Sequence, residues 1–223
     1  MTHSPSFSNR LLLLVALMAV ISAIDFYRNR SQATKFREYG FIVLTGLLGA
    51  GVGFGNDLIT SSISPDYFIL GKGLEKGPDL RMEAALMGLQ VGFSGGVIAG
   101  AICLFVTRRK SVQPPVDFSR LLKKLWIPVA GAILGGIMLA ALCPRFDPAN
   151  FAAQLDTLLN PDGINRFREV WWIHVGLYAG LVAGLAVMIL QVVNRFDGLL
   201  PFFLSFWRGA RSRRPGPCSR PPG

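Results

Sequence analysis

The chain has 223 residues, 51% of them hydrophobic and only 16% charged, against about a quarter charged in an ordinary soluble domain. So large an apolar excess needs a cover other than water. The formal charge of +10 would suit a nucleic-acid partner, but Lys and Arg fall between and after the apolar blocks, so none is expected; membrane topology and lipid headgroups account for the pattern.

The first block, Leu11 to Ile24, is short enough for either a signal-peptide core or an interfacial segment. Cleavage is poorly supported, because Ser22-Ala23 is a weak small-x-small site and Arg28, Arg30, Lys35 and Arg37 follow at once. Extension through Asp25-Phe26-Tyr27 gives a short span with aromatic residues at its end, and this reading is preferred. Residues 1–38 are therefore taken as a short span or anchor-like segment plus a basic loop.

Four longer blocks follow: Tyr39 to Asn56, Ala84 to Thr107, Leu125 to Pro144 and Val170 to Asn194, each free of Asp, Glu, Lys and Arg. A bilayer core of about 30 Å needs roughly 20 apolar residues per helix, so each is a candidate span. The expected fold is all-α: a polytopic integral membrane bundle of four to five glycine-rich transmembrane helices, covering residues 39–207.

Charge sets the expected direction. Basic clusters lie before the second block, between the third and fourth (Arg108, Arg109, Lys110, Arg120, Lys123, Lys124) and in the tail. The other two connections balance three basic residues each with Asp66, Glu75, Asp79 and Glu83, or with Asp147, Asp156, Asp162 and Glu169. The basic connections and the C-terminus are thus expected in the cytoplasm, with anionic lipid headgroups as their partners.

Between the second and third blocks, Ser64-Pro65-Asp66 reads as a helix start, with Tyr67, Phe68, Ile69 and Leu70 expected to rest on the outer interface and Gly71-Lys72-Gly73 ending the turn. Ala149 to Asn160 has near-helical apolar spacing suited to the membrane surface, and Asn160-Pro161-Asp162-Gly163 reads as its stop. Leu199 to Trp207 is aromatic enough for the headgroup boundary. Residues 208–223, rich in Arg and Pro, are expected to be disordered and drawn to anionic lipid.

Glycine recurs every fourth residue in the third block, at Gly88, Gly92, Gly96 and Gly100, and again at Gly176, Gly180 and Gly184, at Gly131 and Gly135, and at Gly49 and Gly53. Such ribbons let helix backbones approach closely in lipid. Packing within one bundle is the simpler use; a homo-oligomer through an exposed ribbon is the alternative. A phosphate-cradling loop is excluded, because the glycines sit inside apolar blocks with no Gly-Lys-Ser/Thr after them.

The alternating topology puts the end of the second block level with the starts of the third and fifth. That level holds Asn56, Asp57 and Thr60, then Gln90 and Ser94, then His174 and Tyr178. Ionisable residues inside a membrane are costly and usually face the bundle interior, so these residues with Tyr67 form a candidate polar cluster. Proton relay, substrate binding and a weak metal site are each chemically open, beside plain helix-to-helix hydrogen bonding. One Asp and one His complete neither a triad nor a metal-ligand set, so no catalytic or metal residue is assigned and no cofactor is expected. Cys103, Cys143 and Cys218 are too far apart for a zinc or disulfide motif.

Gly55-Asn56-Asp57-Leu58-Ile59-Thr60, running into Ile63-Ser64-Pro65-Asp66-Tyr67-Phe68, resembles a motif of uncharacterised bacterial multi-span membrane proteins, approximately H-D-Q-I-T followed by I-S-P-E-Y-F. Val170-Trp171-Trp172-Ile173-His174 with Tyr178 resembles their second motif. Here Asn56 stands in place of His and Asp66 in place of Glu. The resemblance implies the inner membrane of a bacterium, brings no activity with it, and groups Asp57, Thr60, Tyr67 and His174. The function with the fewest requirements is non-enzymatic packing, scaffolding or partner binding. A small transporter or channel subunit with a polar site near the outer face is the alternative, and a membrane-embedded enzyme using Asp57 and His174 a further one.

Overall fold

The computed structural model describes residues 7–30, 33–108, 118–143 and 146–193, all of them helix, turn or irregular backbone. The aromatic stretch at 199–207, the Arg/Pro-rich tail and Cys218 lie outside the described residues. Helix α1 spans Phe7–Asn29, α2 Lys35–Ile63, α3 Leu80–Thr107, α4 Phe118–Lys124, α5 Trp126–Leu142, α6 Phe151–Leu155 and α7 Pro161–Val193. Among the described residues, four segments are long and apolar enough to cross a membrane: α2, α3, α4 with α5, and α7. The chain is a polytopic helical membrane protein.

Helices α2 and α7 outrun their apolar blocks with long polar ends. Helix α2 has 29 residues, or about 44 Å at 1.5 Å per residue, so its last two turns carry polar side chains. There the hydroxyls of Thr60, Ser61 and Ser62 are satisfied by bonding back to the carbonyls of Asn56 and Leu58 at 2.8–3.3 Å. The helix stops at Ser64, whose φ of −139° and ψ of 93° are the extended geometry that a following proline imposes. Helix α7 begins at Pro161, nine residues before its apolar block. Asn160 is its N-cap, accepting the Gly163 N–H at 2.8 Å, with proline in the first helical position. Asn160-Pro161-Asp162-Gly163 is therefore the start of the last span, which corrects its reading as a stop.

The break between α4 and α5 also has a local cause. Pro128 has no N–H to give to the Lys124 carbonyl and its ring crowds that oxygen, so the helix is interrupted at Leu125.

The bundle is two antiparallel hairpins, α2 with α3 and α5 with α7. Glycine sets the register of both. A Cβ on Gly49 would fall on the Gly92 carbonyl oxygen, one on Gly53 on that of Gly88, and one on Gly96 or Gly100 on Thr45. In the second hairpin Gly131 faces Gly180, Gly135 faces Gly176, and Gly184 lies against Pro128. All eleven ribbon glycines are thus used inside the chain, at approach distances that leave no room for a methyl group.

The hairpins meet each other mainly at their two ends. At one end Phe41, Cys103, Leu121, Leu125 and Met188 form a buried cluster. At the other, Tyr67, Phe68, Leu80, Ala84, Phe167 and Val170 form a second. Between the two clusters lies a cavity of about 170 Å³.

Candidate functional site

The second cluster holds the polar residues. Asp57 Oδ1 lies 3.0 Å from His174 Nε2, joining α2 of one hairpin to α7 of the other. Both residues are buried, at 7% and 5% exposure. The carboxylate fits because Gly88 is beneath it: a Cβ there would meet Asp57 Cβ and Cγ at 2.8 Å. Gly88 therefore serves both the helix approach and the seating of the acid.

Hydrogen-bond arithmetic fixes much of the chemistry. His174 Nδ1 lies 2.8 Å from the Val170 carbonyl, which only accepts, so Nδ1 carries a proton. The contact between Nε2 and Asp57 then needs one further proton, held either by the imidazole or by the carboxyl. In both arrangements the pair has no net charge, which suits a group so far from water. Asn56 Nδ2 donates to the same Asp57 oxygen at 2.9 Å and lies 3.4 Å from His174 Nε2.

The turn after α2 closes over this pair. Ser64 Oγ accepts the Tyr67 N–H at 3.3 Å, and the following wide turn, Tyr67–Gly71, ends at Gly73 in the left-handed region with φ of 74°. Tyr67 and Phe68 are driven inward by this geometry, to 6% and 0% exposure, against Phe167 and Val170. They do not rest on the outer interface as the sequence led one to expect; only Leu70 of that run is exposed. Burial raises the pKa of the Tyr67 phenol, with the negative charges of Tyr178 and Asp57 adding to the effect. Phe151, Leu155 and Leu159 pack against this cluster from the α6 segment.

Not every expected member joins. Gln90 is exposed, because it is two residues, about 200°, around α3 from Gly88 and so points away from α2. Ser94 shares that outward face and donates to the Gln90 carbonyl. Thr60 is buried but its hydroxyl is committed to the Asn56 carbonyl. Tyr178 lines the cavity one turn along α7 from His174 and is half-exposed.

Sequence reasoning missed two contributors: Lys72, whose ammonium lies 5.7 Å over the Tyr67 ring and which lines the cavity, and the Val170 carbonyl, a backbone group without a side-chain signal. Among the described residues no group of three or more His, Cys, Asp or Glu side chains could hold a metal ion. Cys103 is buried in the opposite cluster, and Cys143 is half-buried.

A single Asp, a single His with both ring nitrogens engaged, and an apolar chamber beside them make an arrangement suited to clamping and binding. No protein-family model, curated protein or solved structure matches the chain.

Proposed function

We propose that this is a non-enzymatic membrane protein that binds an apolar or amphipathic partner between its two hairpins, with Asp57 and His174 clamping one end of that space. The observation that carries the reading is the hollow middle: each hairpin is packed to backbone contact, yet between them a cavity lies bounded by two buried clusters. Close packing is the rule in protein interiors, so a chamber bounded by well-packed walls calls for an occupant. The charge alternation supports an orientation with the Asp57 end outward and the Phe41 end toward the cytoplasm of a bacterial cell, where the basic connections meet anionic headgroups.

A conducting path is less well supported. Thr45, deep in the cavity, has its hydroxyl bonded to the Ile42 carbonyl, and the Phe41 end is sealed by apolar side chains. An enzyme would need a nucleophile beside the Asp57–His174 pair.

The test is a benzophenone amino acid placed at Val129, which lines the cavity, and separately at Ile98, which is exposed on α3. Irradiation in native membranes should give a discrete adduct at Val129 that is absent at Ile98. The same bulk-lipid adducts at both positions would overturn the reading.

A further inference from the structure

We infer that the occupant is a single-chain amphiphile with an acidic headgroup, a carboxylate or a phosphate monoester, whose chain lies between the hairpins and whose head sits at Lys72 and Tyr178. This rests on the binding reading above and names the class of ligand.

Shape argues for a chain. The cavity follows α2 from Asp57 to Phe41, sixteen residues or about 24 Å at the helical rise. The space open to the centre of a water-sized sphere is about 170 Å³ over that length, so the slot is narrow. Its walls are glycine backbone and apolar side chains such as Leu48, Val52, Met87 and Leu181. A bulky or polycyclic molecule fits such a slot poorly, whereas an extended hydrocarbon fills it.

The head follows from which polar groups remain uncommitted. The Asp57–His174 pair is neutral as a unit, so it neither attracts nor repels a charge strongly. Lys72 makes no ion pair among the described residues; its ammonium contacts only the Tyr67 ring face. The Tyr178 hydroxyl makes no hydrogen bond among the described residues, and it lines the same cavity. One unbalanced cation with a phenol offers donors to an acceptor-rich, negatively charged head. Val91 and Tyr178, 47% and 45% exposed, lie at the rim, so the tail has a sideways entry from the bilayer.

The experiment uses the full chain in nanodiscs of phosphatidylcholine, with tritiated oleate, oleoyl lysophosphatidate and oleyl alcohol as probes. At least one of the acids should bind saturably, near one per chain, and whichever binds more tightly identifies the head as carboxylate or phosphate. Lys72→Gln should weaken that acid about tenfold and leave the alcohol unaffected. Gly95 lines the cavity, and a Cβ there meets nothing within 4 Å. Gly95→Leu should therefore fill the slot and abolish binding without lowering thermal stability, and Val129→Trp is the second filling variant. Oleyl alcohol binding as tightly as the acids, with no effect of Lys72→Gln, would overturn the acidic head while leaving a partner space between the hairpins. Saturable acid binding that survives both filling variants would overturn the location. Absence of saturable binding by all three probes would overturn the amphiphile, and a discrete Val129 adduct would then still support the broader reading.

Discussion

The ring of Tyr67 lies nearly parallel to the imidazole of His174, with centroids 4.9 Å apart and 29° between the planes. A residue from the turn of one hairpin thus covers the histidine of the other. The contact joins the capping chemistry of Ser64 to the clamp formed by Asp57, so a local turn signal has a long-range consequence.

Tyr67→Ala should cost about 3 kcal/mol, the usual range for emptying a buried aromatic site. Tyr67→Phe keeps the ring and should be close to neutral at pH 7. The two proteins should part in alkali. The phenol's ordinary pKa is 10.0 and burial raises it in the folded protein, so above pH 10 the unfolded chain loses a proton that the folded chain retains. The unfolded state then binds fewer protons and stability falls as pH rises. Unfolding measured against pH should show this fall to be steeper in the native protein than in Tyr67→Phe; identical slopes would mean the phenol is not sequestered.

Asp57→Ala and His174→Ala each leave the other partner buried and unpaired, and each should destabilise by about 3 kcal/mol. The double variant should cost about 4.5 kcal/mol, less than the sum of the two single effects. A coupling of about 1.5 kcal/mol is expected, above the roughly 0.6 kcal/mol average for hydrogen bonds between membrane helices, because here both groups are buried and the ring is fixed at both nitrogens. Strictly additive single effects would show that the two side chains act independently.

The glycines divide into two kinds that the sequence does not distinguish. Gly53 faces the Gly88 carbonyl, whereas a Cβ at Gly51 meets nothing within 4 Å. Gly53→Ala should force α2 from α3 and destabilise by about 1–3 kcal/mol. Gly51→Ala should stabilise by about 0.5–1 kcal/mol through helix propensity alone. Thermal unfolding of both in one detergent gives the comparison, and equal effects would contradict the register described above.

The spans are legible in the sequence because lipid leaves so few choices: uncharged blocks of the right length must be helices, and glycines four apart must lie on one face. The shared depth of Asp57 and His174 also follows, since antiparallel helices bring late positions of one beside early positions of the next. Helical phase does not follow from depth, which is why Gln90, level with Asp57, points away from it. Nor does the direction of Tyr67 and Phe68. An aromatic run after Ser64-Pro65 suits an interface as well as a core, and only the turn ending at Gly73 decides between them. Asn160-Pro161 is ambiguous for a related reason: the residues that end one helix also begin another, and the polar start of α7 carries only Ile164 and Phe167, too short an apolar period to reveal which.

Asp25 provides the last case, a contact that no local pattern announces. Its carboxylate accepts the backbone N–H groups of Thr34 and Lys35 at 3.0 Å each and the Asn29 amide at 2.6 Å, so the end of α1 caps the start of α2 around a left-handed Arg30. The Lys35 N–H above all holds the acid below its ordinary pKa, with Asn29 and Thr34 contributing. Because the docked joint favours the ionised form, the undocked joint takes up a proton more readily, and acid favours undocking. Hydrogen exchange at the Thr34 and Lys35 amides should therefore be slow above the ordinary value of 3.8 and accelerate as pH falls below it, after correction for intrinsic rates. Asp25→Asn should show weaker protection with no such acid step, since a neutral amide oxygen is a poorer acceptor and does not titrate. Equal protection in both proteins across the acid range would mean that the carboxylate does not hold α1 to α2, and that the joint depends on the backbone geometry at Arg30 alone.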